Sequence, residues 1–243
     1  MNPAEQLQIA QELIRIRIEC ALLKHQPDHD KIQLNELHAR RRLLVMKYPW
    51  LPCVAWQDVQ WCLEQLKVKD QDTAQIFPFI LRKPQVKALK QIVAGWKEHG
   101  TFGEPLWVLI LKSRQWGGST LIEALVYLRT WAVPGSDALL ISRDDDQAVF
   151  QFGIYDTFYN NDPLQRPKQN SRNLRSIKYA DEKGGKINVD SGYKESMGRG
   201  CTYHNLHASE IDFWRLWEKA LTALIPGVPN SADGFGCIES TAE

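Results

Sequence analysis

Lys112-Ser-Arg-Gln-Trp-Gly-Gly-Ser-Thr120 is the segment whose residue types could do chemistry most directly. A glycine-bearing loop between a strand and a helix can wrap backbone N–H groups around phosphate oxygens at the helix's positive end. In the common form of such a loop, Gly-x-x-x-x-Gly-Lys-Ser/Thr, the lysine reaches the β- and γ-phosphates and the hydroxyl binds Mg²⁺. Here Gly117 holds the second glycine position and Ser119 the hydroxyl position, but Gly118 stands where lysine belongs and Lys112 where the first glycine belongs. A loop that curls around phosphate brings its two ends together, so a long side chain at its front can reach the same oxygens. Arg114 offers a second cation, with a planar fork suited to phosphate. The expectation is an ATP·Mg²⁺ site built from Lys112, Ser113, Arg114, Gln115, Trp116, Gly117, Gly118, Ser119 and Thr120, with Ser119 on the metal and either Lys112 or Arg114 as the main cation.

Hydrolysis of a bound nucleotide needs a carboxylate to orient or deprotonate water, usually at the end of a neighbouring strand. Tyr203-His-Asn-Leu-His-Ala-Ser-Glu210 ends an extended segment on Glu210, the candidate base. Ser209 precedes it, where an Mg²⁺-associated Asp would ordinarily stand, and could still hold the metal through a water. A plainer role for Glu210 is to cap a helix beginning near Ile211 and Asp212.

These groups need rigid elements behind them. Leu106–Leu111 is a continuous apolar run of strand length, as in a sheet buried on both faces, and Leu121–Trp131 reads as a helix after the loop. Ala138–Ile141 is a second apolar strand, and Asp144–Tyr159 a helix with acids in its first turn. Lys186–Asp190, Tyr203–Ser209 and Gly236–Ser240 read as further strands. Strand and helix in alternation predict an α/β fold whose mostly parallel sheet is flanked by helices. Residues 1–70 form a helical N-terminal extension, with apolar residues at Leu7, Ala10, Leu13, Ile14 and Ile18, a second run through Leu34, Leu37, Arg41 and Leu44 after a break near Pro27, and a short helix over Trp56–Leu66. Residues 71–243 form the core domain.

The 243 residues carry a net charge of +1 with 44% hydrophobic and 24% charged residues, values of an ordinary globular protein with no overall polyanion-binding signature. Arg40-Arg41-Arg42 and the group Arg172, Arg175, Lys178, Lys183 and Lys186 are each as consistent with a solvated face as with a nucleic-acid patch. No apolar run reaches the roughly 18 residues of a membrane span, and the N-terminus lacks a signal-peptide layout, so a cytoplasmic location is the default. The five scattered cysteines form no Cys-x-x-Cys pair. Cys201-x-x-His204-x-x-His207 has the look of a metal motif, but in a strand its histidines point to opposite faces, against tetrahedral ligation.

From about Phe77 to its end the chain resembles the ATPase domain of the large terminase subunit of tailed bacteriophages, the motor that packages DNA into procapsids. Lys112–Thr120 looks like the family's deviant Walker A loop, in which the lysine stands at the loop's start. Leu139-Leu-Ile-Ser-Arg143 with Gln147-Ala148 is similar to its second strand and helix, Leu206–Trp214 to its Walker B region with Ser-Glu for Asp-Glu, and Ile238-Glu-Ser-Thr-Ala242 to its coupling motif. The resemblance implies a P-loop NTPase of the ASCE type, with Ser240, Thr241 and Ala242 sensing the γ-phosphate, Gln85 contacting adenine, and Arg199 acting as an arginine finger on a neighbouring subunit's ATP. It also implies double-stranded DNA, the procapsid portal protein and the small terminase subunit as partners, a homo-oligomeric ring (a pentamer on the portal, with a monomer possible in solution), no membrane, and the host cytoplasm. The family's subunit continues into a nuclease domain, whereas this sequence stops at Glu243, so an ATPase without packaging-nuclease activity is expected. Rival readings are a helicase-type nucleic-acid ATPase, a nucleotide-binding scaffold that does not hydrolyse, and a small-molecule phosphotransferase, for which no second substrate motif is evident.

Overall fold

The fold is described from a computed structural model over residues 1–24, 31–113, 115–164, 168–180, 185–193 and 200–241. Three helices come first, α1 (Pro3–Lys24), α2 (Lys31–Lys47) and α3 (Trp56–Glu64), then a small antiparallel pair, β1 (Lys67–Lys69) and β2 (Ile76–Pro78). The core follows as α4 (Lys83–Thr101), β3 (Leu106–Lys112), α5 (Gly118–Ala132), β4 (Ala138–Ser142), α6 (Asp145–Asn161), β5 (Gln169–Arg172), β6 (Ser176–Tyr179), β7 (Lys186–Ser191), β8 (Asn205–Ala208), α7 (Trp217–Leu224) and β9 (Phe235–Thr241). No helix among the described residues is long and apolar enough to cross a membrane.

Seven strands form one sheet in the order β3-β9-β8-β4-β7-β6-β5. The first five run parallel, and β6 and β5 turn back antiparallel at one edge. The last strand in sequence, β9, thus lies between β3 and β8. Side chains of β4 alternate between two cores: Ala138 and Leu140 pack with α5 and α6 residues such as Leu125 and Phe152, while Leu139 and Ile141 pack with Trp214, Ala220 and Leu224. All five residues of β4 are buried, as expected of a central strand covered on both faces.

Two expectations change. The run in β3 is not buried on both faces, because β3 is the sheet's edge and the second core stops at its Trp107; Leu109 and Leu111 beyond it are 78% and 77% exposed. In α1 the inward stripe is Leu13, Ile16 and Cys20, whereas Leu7, Ile14 and Ile18 face outward.

The N-terminal helices share the main core with the sheet: Leu13, Val45, Met46 and Leu63 belong to the same cluster as Leu89, Leu125 and Phe235. Buried charge fastens them. Arg42 Nη1 donates to Asp162 Oδ1 at 2.7 Å with both side chains essentially inaccessible, and its guanidinium lies 4.6 Å from the Trp131 ring centroid. Asp58 accepts from Arg17 at 2.7 Å and Arg41 at 2.9 Å, and Arg40 pairs with Glu12. Each arginine of the 40–42 cluster thus has an acidic partner in the chain, with Arg42 buried and Arg40 at the surface. Arg172, Arg175 and Lys186 likewise pair with Asp156, Asp145 and Asp137; Lys183 lies outside the described residues.

Candidate functional site

The carboxyl ends of parallel strands are where open α/β sheets place their sites, because helix N-termini and loops converge there. Here that end carries Lys112 on β3, Glu239–Thr241 on β9, and Ser209 and Glu210 just after β8. Between β3 and α5 the chain makes a tight return, with Gln115 at φ 65° and Gly117, the residue before α5, at φ 80°. Glycine is the residue that takes such a conformation without a Cβ clash.

The loop's two ends meet. Lys112 Nζ lies 2.6 Å from Ser119 Oγ, in the first turn of α5. The structure also accounts for Gly118 standing where lysine is usual: a Cβ there would come within 2.5 Å of the Trp116 indole, which packs over this position. A lysine on that spot would have to displace the ring. The cation enters from the front of the loop instead. Arg114 lies outside the described residues.

At the centre of the site is a residue that the motif reading passed over. Glu239 is fully buried, and its Oε1 accepts from Ser119 Oγ at 2.5 Å, from Ser209 Oγ at 2.7 Å and from Lys112 Nζ at 2.8 Å. His207 Nε2 stands 3.3 Å from the same oxygen without hydrogen-bond alignment, and Oε2 has no partner among the described residues. Burial pushes the Glu239 carboxyl up, but His207 and Lys112 outweigh it and hold the group well below the usual carboxylate range. One turn along α5 from Ser119, Glu123 is also fully buried, and neither of its oxygens has a partner among the described residues. Burial, reinforced by the charge of Glu239, pushes its carboxyl well above the ordinary value. The sequence signal for both was an acid inside an apolar element: Glu239 after Gly-Cys-Ile on β9, and Glu123 among the leucines of α5.

Glu210 follows β8 with φ 54° and ψ 48°, a left-handed conformation uncommon for a residue with a Cβ. It precedes a 3₁₀ turn over Ile211–Phe213, but its side chain makes no capping hydrogen bond. A strained, uncapped acid at a strand end is a feature found at functional sites. Ser240 Oγ donates to Asp212 Oδ1 at 2.5 Å, which ties the end of β9 to this turn, and Thr241 is register partner of Lys112. Arg143, just after β4, ion-pairs with Asp144 at 2.8 Å and lies over the Phe213 ring at 5.4 Å. The hydrogen bond it donates to Asp144 and that residue's charge, with smaller help from the charge of Glu210, raise its guanidinium above the usual value.

Gln85, the residue that the resemblance places on adenine, is bonded within the protein. It is 3% exposed; its Oε1 accepts from Arg82 N and its Nε2 donates to Gly117 O, both at 2.8 Å. It joins the start of α4 to the loop between β3 and α5, and Arg82 Nη1 adds a bond to Gln115 O at 3.2 Å. Ser113 and Gln115 are exposed and Thr120 half-buried. Arg199 and Ala242 lie outside the described residues, as does part of the loop ahead of β8. Cys201 is exposed while His207 is fully buried, and no group of three His, Cys, Asp or Glu that could hold a metal occurs among the described residues.

No protein-family model matches the sequence, and no curated protein is similar to it. Geometry therefore carries the functional argument.

Proposed function

We propose that this chain is an ATP-hydrolysing motor domain of the kind that drives DNA packaging in the large terminase subunit of tailed bacteriophages. The observation that carries the reading is the contact of Lys112 with Ser119: a lysine from the strand end reaches the hydroxyl in the first turn of the following helix, across a loop with left-handed Gly117. That is the arrangement a phosphate site with a relocated lysine requires. The insertion of β9 between β3 and β8 supports the finer reading of the fold as a P-loop NTPase of the ASCE type, with Glu210 just past the end of the strand next to the inserted one.

In this reading the backbone N–H groups at the start of α5 and the Lys112 ammonium hold the β- and γ-phosphates. Glu210 orients and deprotonates the attacking water. Ser240, bonded to Asp212 in the turn after Glu210, and Thr241, beside Lys112, carry loss of the γ-phosphate into movement of β9. The donor set suits Mg²⁺: two hydroxyls, of Ser119 and Ser209, converge on one carboxylate whose second oxygen has no partner among the described residues. When bound, the metal supplies neutralisation of charge on the phosphate oxygens. Arg199 from a neighbouring subunit in a ring would stabilise the transition state, and double-stranded DNA, portal protein and small terminase subunit would be the partners, in the host cytoplasm.

The test compares ATP turnover by the wild type and Glu210→Gln while nucleotide affinity is measured separately. The reading expects retained binding with turnover lowered by about a hundredfold or more, the scale of a lost general base. Equal turnover in the two proteins would remove Glu210 from the chemistry. Absence of turnover even at high chain concentration would favour a scaffold that does not hydrolyse.

A further inference from the structure

We propose that Glu239 is the carboxylate of a divalent-cation site that it forms with the hydroxyls of Ser119 and Ser209, replacing from β9 the acid that β8 lacks. The inference rests on the nucleotide-binding reading above and deepens it. β8 and β9 run parallel in the register Ala208 with Ile238, so the next residues, Ser209 and Glu239, lie side by side. The carboxylate missing at position 209 is thus present one strand over. Both hydroxyls already point at it, with Ser119 Oγ at 2.5 Å and Ser209 Oγ at 2.7 Å from Oε1.

A second, independent feature marks the site as incomplete. Glu239 Oε2 is buried without a partner among the described residues, and so are both oxygens of Glu123, a turn away on α5. Leaving such atoms unpaired is costly, and native proteins do so mainly where a ligand, ion or water completes the site. The Lys112 ammonium faces this concentration of acceptors at 2.8 Å from Glu239 Oε1. Once Lys112 turns to nucleotide phosphate, Glu239 loses that ammonium, and a divalent cation restores the balance. Mg²⁺ takes one or two carboxylates together with hydroxyl, phosphate and water oxygens, so it does not require a cluster of three acids. Glu239 then has two roles in sequence. Without nucleotide it holds Lys112 and Ser119 together; with nucleotide it would hold, together with Ser119 and Ser209, a cation that neutralises phosphate charge.

The experiment measures Mn²⁺ binding by electron paramagnetic resonance to the full chain saturated with the non-hydrolysable analogue AMPPNP, and AMPPNP binding in EDTA alongside it. Glu239→Gln is expected to weaken Mn²⁺ by at least about tenfold, the usual scale of damage to a metal site, while AMPPNP in EDTA binds no more weakly than to the wild type. Glu239→Gln with Ser209→Asp, which moves the carboxylate to β8, is expected to recover the Mn²⁺ affinity; a purely structural clamp would not be rescued this way. Unchanged Mn²⁺ affinity in Glu239→Gln, with normal AMPPNP binding, overturns this inference and leaves the nucleotide reading standing. Failure of the wild type to bind AMPPNP at all, with or without Mn²⁺, overturns both. Should Glu239→Gln fail to fold, Glu239→Asp, whose carboxylate falls short of Ser119 and Ser209, carries the comparison: weakened Mn²⁺ is expected, and wild-type Mn²⁺ affinity with normal AMPPNP binding would overturn the inference.

Discussion

Replacing Lys112 by Met strands a buried charge, and the structure sets the size of the effect. Lys112 Nζ is 2.8 Å from Glu239 Oε1, with the lysine side chain 9% exposed and the glutamate fully buried. At an effective dielectric of about 20, two unit charges at that distance attract by roughly 6 kcal/mol before desolvation is counted. Breaking a buried pair by removing one partner costs about 3–5 kcal/mol. Ser119 and Ser209 still donate to Glu239 after the change, so the lower end, about 3 kcal/mol, is expected. For a chain of this length that lowers Tm by roughly 6–12 °C. The double variant Lys112→Met/Glu239→Gln removes the stranded charge and should recover about 1–3 kcal/mol. Urea unfolding at neutral pH of the wild type, both single variants and the double variant measures the cycle, provided m is unchanged. The sign also fixes the pH dependence. Because the folded Glu239 is held below its unfolded value, its contribution is present above about pH 4.3 and is lost as pH falls toward the folded value. Single-variant effects that add to within about 0.5 kcal/mol would refute the pairing.

Gln85→Ala should weaken binding of ATP and GTP alike, because Gln85 holds the Gly117 carbonyl; a loss confined to ATP in a paired titration would return Gln85 to an adenine-reading role. Glu123→Gln should stabilise the fold at neutral pH, since the folded carboxyl of Glu123 is raised and wild-type stability declines as pH climbs from the unfolded value, about 4.3, through the folded one. Denaturant curves at pH 4 and pH 7.5 check it: the gain should be near zero at the lower pH, and an equal gain at both would be wrong for this account. Arg42→Ala should cost about 3–5 kcal/mol, read by calorimetry, because it leaves Asp162 buried without that guanidinium. A loss under about 1 kcal/mol would show that the Arg42–Asp162 pair does not fasten the helical extension.

Ala138–Ser142 and the helix after Asp144 were legible because their signals are local: an unbroken apolar run and an Asp whose side chain accepts from Gln147 N at 2.8 Å. The apolar run of β3 looks the same on paper, but whether a strand is central or at an edge depends on its neighbours, and Leu109 and Leu111 are left uncovered. In α1, apolar residues populate two faces, so spacing alone could not choose Leu13, Ile16 and Cys20 over Ile14 and Ile18. β5, Gln-Asn-Ser-Arg, is polar throughout and held by pairing with β6, a signal no sequence window contains. α4 does carry an apolar stripe, Leu89, Ile92, Val93 and Trp96, interrupted by Gly95 and many lysines. At the site, the loop with its displaced lysine was readable from residue types. The convergence on Glu239 was not, because it joins β3, α5, β8 and β9 across 120 residues of sequence.

Calorimetric titration of the full chain with Mg²⁺·AMPPNP, wild type against Lys112→Ala, tests the central claim most directly. The account predicts one site per chain in the wild type and binding weakened by at least about tenfold in the variant, the loss of one strong charge-assisted phosphate contact. Equal affinity in both proteins, or no binding by the wild type, would contradict it.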